Sequence, residues 1–140
     1  MKLDCEVFLK KKSDKIALIA PNEHLESLIS FLCSSGDYDV DHFPNLDEVE
    51  DYHAFPFGNY QLVIIDSRVT YLPIDAGVLD SLKAVFGECA FVVLDRENAI
   101  EDLGSNSIVK LVGNPGIHEI LKSGLRARNF NEAEKLAHTI

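Results

Sequence analysis

The stretch Tyr60–Arg68, YQLVIIDSR, poses the fold problem: an apolar run that stops abruptly on Asp66. Leu62, Val63, Ile64 and Ile65 leave no polar position for a solvent face, so a strand here must be covered on both sides. Strands of that kind belong to parallel sheets, and α/β proteins gather their working residues at the carboxyl ends of such strands. Aspartate is also a good turn former. Asp66 is therefore either a strand stop or a functional acid, depending on what surrounds it.

Upstream, KIALIA (15–20) reads as a second buried strand, broken by Pro21. Asn22 suits the N-cap of a helix carrying Leu25, Leu28, Ile29 and Leu32 on one face, with Gly36 as its stop. YDVDHF (38–43) reads as an exposed edge strand, because Val40 is flanked by acids. Residues 44–59 predict a weak helix and then a loop.

Downstream come a helix at 74–87, a buried strand CAFVVLD (89–95), a short acidic helix ENAIEDL (97–103) and a fifth strand SIVKLVG (107–113). The last helix starts in PGIHEILKSGLRARN (115–129), with Ile117, Ile120, Leu121 and Leu125 expected inward. Strands alternating with helices predict a flavodoxin-like three-layer α/β sandwich with a five-stranded parallel sheet of order 2-1-3-4-5. In that order the ligand crevice lies beyond strands one and three, where Asp66 meets residues 21–23. We divide the chain into a 1–14 extension, a domain at 15–128, and a helical tail or linker at 129–140.

The charge balance excludes one class of function. Thirteen Lys and Arg stand against 23 Asp and Glu, a net charge of −10. A nucleic-acid surface needs a basic face to displace counterions, so direct nucleic-acid contact is not expected. Cys5, Cys33 and Cys89 are isolated, consistent with reduced thiols and a cytoplasmic location. No signal-peptide pattern and no apolar run of about 18 residues suggests secretion or a membrane span.

Other chemistry is less supported. Asp37, Asp39, Asp41 and Glu48 mimic a calcium loop, but His42 stands where glycine is required, which favours an acidic strand and loop. His24, His42, His53, His118 and His138 have no metal-binding spacing. GNPG (113–116) lacks the lysine of a phosphate loop, and Ser67 lacks the G-x-S-x-G elbow. No enzymatic activity is expected.

The arrangement resembles the receiver domain of bacterial response regulators over about residues 15–128, through its topology, VIID (63–66) and NPGIHEIL (114–121). The resemblance implies a phosphoacceptor aspartate ending strand three, which falls on Asp66. The family's Mg²⁺-binding acidic pair falls on Pro21 and Asn22, with Glu23 next along. Its strand-four Ser or Thr falls on Asp95. Its lysine before a proline falls on Asn114, where a cis bond to Pro115 is also implied. Its aromatic switch falls on Leu111, and the proline beyond its phosphoacceptor on Thr70, with Pro73 later.

Only the phosphoacceptor itself is kept, so Asn22, Glu23, Asp95 and Asn114 define a pocket poor in the positive charge that phosphoryl transfer needs. The expectation is a degenerate receiver-like signalling module with no cofactor. It would act through a protein partner or as a homodimer, using helix four, strand five and helix five, and an output domain beyond the C-terminus would fit. Mg²⁺ would bind weakly, through Glu23 and Asp66. The alternatives are a phosphorylation-competent receiver using Asp66 and a divalent metal, and a small-ligand-binding or enzymatic flavodoxin-like domain.

Overall fold

The computed structural model describes residues 15–21, 28, 30, 31, 34, 39–52, 60–69, 74–87, 89–98, 100, 107–113 and 115–139. Strands β1 (Lys15–Ile19), β2 (Asp39–Phe43), β3 (Leu62–Asp66), β4 (Ala90–Asp95) and β5 (Ile108–Val112) form one sheet. Its order is β2-β1-β3-β4-β5, with every adjacent pair parallel. The strand order therefore reverses between β1 and β3, as the apolar runs predict. Leu28, Ser30, Phe31 and Ser34 are helical. Helices α1 (Leu46–Tyr52), α2 (Ala76–Phe86) and α3 (Ile117–Thr139) follow, with a 3₁₀ turn at Ser67–Val69.

Alternation along the strands divides the core between two faces. On one face Ala17, Ile19, Val63, Ile65, Phe91 and Val93 pack with Leu79, Leu82 and Phe86 of α2. On the other, Ile16, Leu18, Leu62, Ile64, Ala90 and Val92 pack with Leu28 and with Ile120 and Ala127 of α3. The three inner strands are covered on both sides, which explains why their sequences carry no polar alternation. Ile108, Val109 and Leu111 are only half-buried, because β5 is an edge strand.

Local signals set the ends of the helices. Asp75 caps α2, its Oδ1 accepting the Val78 N–H at 3.0 Å, and Gly87 closes that helix at φ 88°. The Asn45 side chain accepts the Glu48 N–H at 2.9 Å at the start of α1.

Two expectations are corrected. Leu125 does not face inward; it is 48% exposed. The inward stripe of α3 runs through Ile120, Gly124, Ala127 and Asn131. A Cβ at Gly124 would lie 2.6 Å from a Leu62 methyl, so glycine is what lets α3 approach the sheet. The short acidic helix at 97–103 is likewise not formed at its described residues. Arg96 and Glu97 make a turn, and Asn98 adopts φ 54°, which a right-handed helix cannot contain. Residues 99 and 101–103 of that segment lie outside the described residues.

The tail extends the last helix: α3 passes residue 128 unbroken and reaches Thr139. At 23 residues it is about 34 Å long, roughly twice the length of a five-residue strand.

Candidate functional site at the carboxyl end of the sheet

Asp66 ends β3 and is 2% exposed. The 3₁₀ turn that follows folds the chain back immediately, so the Asp66 side chain accepts the backbone N–H of Arg68 at 2.9 Å. An aspartate bonding the N–H two residues on is a local turn device. The same turn swings the Arg68 guanidinium across the carboxylate. Nε donates to Oδ1 at 3.0 Å and to Oδ2 at 3.1 Å, and Nη2 donates to Oδ2 at 2.6 Å. This two-pronged arrangement is the stronger form of the arginine–carboxylate pair. The hydrogen bond to Asp66 raises the Arg68 pKa above its usual value; partial burial opposes this and the Asp66 charge adds to it.

Asp95 ends the neighbouring strand and is just as buried. Asp66 is in register with Leu94, so Asp95 lies one residue further along, and alternation assigns the two aspartates to opposite faces. The Asp95 Oδ2 accepts the Ile100 N–H at 2.8 Å and lies 3.9 Å from the Lys110 Nζ. Lys110 reaches across from β5 and donates to the Ile100 carbonyl at 2.6 Å and to the Asn98 Oδ1 at 2.8 Å. The Gly113 N–H completes the junction by donating to the Arg96 carbonyl at 3.2 Å.

At the end of β1, the Ala20 N–H donates to the Phe43 carbonyl at 3.0 Å, and the His42 Nε2 donates to the Ala20 carbonyl at 2.8 Å. His42 thereby ties the edge strand to the rim of the crevice. Asn22, Glu23 and Asn114, the remaining pocket candidates, lie outside the described residues, as do Thr70, Pro73 and the Asn114–Pro115 bond. Leu111 is half-buried on the α3 face of the sheet.

The described members of the calcium-like set are not arranged as a loop; Asp37 lies outside the described residues. Asp39, Asp41 and His42 belong to β2, while Glu48 lies in α1. Asp41 accepts the Tyr60 hydroxyl and lies 3.8 Å from the Lys15 Nζ. Among the described residues, no three His, Cys, Asp or Glu side chains gather as a metal site. Cys89 is a buried thiol, and no described helix is long and apolar enough to cross a membrane.

Sequence reasoning missed Arg68 and Lys110. The signal for Arg68 was a cation two residues beyond a strand-ending aspartate, which matters only if the turn is tight. Lys110 was the one charge in an otherwise apolar strand.

No family model and no curated protein matches the chain. Solved structures do match its fold. A response regulator receiver domain protein from Bacillus halodurans is 15% identical with a TM-score of 0.62, covering 86% of this chain and 97% of that one. A response regulator receiver protein from Sinorhizobium medicae is 14% identical at 0.64, covering 86% and 98%. The signal receiver domain of an HD domain-containing protein from Pseudomonas fluorescens is 15% identical at 0.65, covering 87% and 99%. The chain has the receiver fold.

Proposed function

We propose that the chain is a degenerate receiver-like signalling module that works by protein–protein contact rather than by phosphotransfer. One observation carries this reading: both oxygens of the Asp66 carboxylate are already engaged by Arg68. An attacking carboxylate needs a free lone pair, and the transferring group needs cations gathered around its own oxygens. Here the available cation is spent on the nucleophile.

The same geometry bears on a divalent metal. Mg²⁺ binds through hard oxygen ligands held in near-octahedral positions. The Asp66 oxygens point into a guanidinium, and Asp95 serves a backbone N–H and Lys110. The described residues do not fit such an ion. The sequence adds that asparagine stands at 22 and 114, where the resemblance implies a metal ligand and a lysine.

A contact role is supported by apolar groups left in solvent on adjoining elements: Val112 of β5, and Leu125 and Leu136 of α3, which are 51%, 48% and 67% exposed. Positions 125 and 136 are eleven residues apart, close to three helical turns, so the two leucines share one stripe. A protein partner or a second copy would cover them, and an output domain following α3 is compatible with this arrangement. We place the module in the cytoplasm, in keeping with its isolated thiols.

The test is incubation with acetyl phosphate and MgCl₂, followed by intact-mass measurement. The wild type is expected to stay unmodified. Stoichiometric gain of one phosphoryl group, lost in Asp66→Ala, would establish instead a competent receiver, the reading favoured by the position of Asp66 at the end of a central strand.

A further inference from the structure

We propose that Arg68 is a tethered counter-ion that closes Asp66 to divalent cations, and that removing its guanidinium opens a cation site there. The inference rests on the reading above and adds what holds the crevice closed. Four contacts of 2.6–3.1 Å bind the carboxylate, and they divide unevenly between its oxygens. Oδ1 takes the Arg68 backbone N–H as well as Nε. Oδ2 takes only side-chain donors, Nε and Nη2. Truncating the side chain therefore leaves Oδ1 one backbone donor and strips Oδ2 of both of its bonds to Arg68.

A buried anionic oxygen deprived of its donors demands a replacement. The space vacated by the guanidinium opens to solvent, since Arg68 keeps 28% of its side-chain surface exposed. A small hydrated cation has both a charge to meet and a route in. In the wild type it has neither. The competing guanidinium is attached two residues from the carboxylate, so it competes intramolecularly, whereas Mg²⁺ must be drawn from solution. It is also weakly hydrated, whereas Mg²⁺ sheds water reluctantly.

The experiment compares full-length wild type, Arg68→Ala, Arg68→Gln and the Asp66→Asn/Arg68→Ala double variant. Thermal unfolding is followed with EDTA and with MgCl₂ at about 10 mM, alongside calorimetric titration with MgCl₂. No magnesium-dependent shift is expected in the wild type. Arg68→Ala should gain a rise in Tm of a few degrees on adding MgCl₂, as mass action gives for a Kd near 1 mM or below, and the double variant should lose that gain. If Arg68→Ala does not fold, Arg68→Gln carries the same readout. A wild type that takes up Mg²⁺ through Asp66, or an Arg68 variant indifferent to the ion, overturns the inference. Phosphorylation of the wild type would overturn the preceding reading instead, so the two failures are distinguishable.

Discussion

Asp66 and Asp95 end adjacent strands, are equally buried, and yet are satisfied in opposite ways. Asp66 is served from two residues away, by the backbone and side chain of one arginine. Asp95 is served at longer range: a backbone N–H five residues on, and a lysine from the next strand that also holds the Asn98 side chain and the Ile100 carbonyl. The first arrangement closes a site within one turn. The second staples three pieces of chain at the β4–β5 junction. A buried carboxylate at the carboxyl edge of a parallel sheet is thus not by itself an active-site acid; its partners decide what it does.

The largest effect is expected from Arg68→Ala. Removing the partner of the buried Asp66 carboxylate strands its charge, at a cost of about 3–5 kcal/mol in urea denaturation. The pair should also be insensitive to base. The folded-state pKa of Arg68 is raised, so its contribution is fully present below the ordinary arginine value of the unfolded chain and is lost only as pH rises through the still higher folded value. Stability measured from pH 7 to pH 10 should therefore show no loss traceable to Arg68.

Lys110→Met should cost less, about 1–3 kcal/mol, because its pair with Asp95 is long, at 3.9 Å, and Asp95 keeps the Ile100 N–H. Its signature is local: faster amide exchange at Ile100 and Gly113, with the β3 amides unchanged. An equal speeding at β3 would show that the two aspartates form one network. The smallest effect belongs to Asp95→Asn, which keeps an acceptor for the Ile100 N–H and gives up the charge facing Lys110. About 1 kcal/mol is expected, and a larger loss would mean that the 3.9 Å pair matters more than its length suggests.

Much of the fold could be read before any coordinates. VIID, ALIA and FVVL are apolar without alternation, which only a doubly covered parallel sheet accommodates, and the helices between them fix the order. The acidic β2 declared itself an edge in the same way. Leu125 misled because hydrophobicity marks what can be buried, whereas close helix–sheet approach is set by the smallest residue, here Gly124. At Glu97 and Asn98, the start of the helix expected at 97–103, a turn forms instead, because Asp95 captures the Ile100 N–H and Asn98 is left-handed. Neither follows from local propensity. The position of Asp66 was legible from its strand, but its partner was not. Arg68 meets the carboxylate only because residues 67–69 form a tight turn.

A double-mutant cycle of Asp66→Asn, Arg68→Ala and the pair, read by urea denaturation of the full chain, tests most directly whether Arg68 is what neutralises Asp66. Strong coupling is expected, about 2 kcal/mol or more, with the double variant more stable than Arg68→Ala alone because no buried charge is left stranded. Additive losses, within about 0.5 kcal/mol, would contradict it and return Asp66 to the pool of free acids at the end of β3.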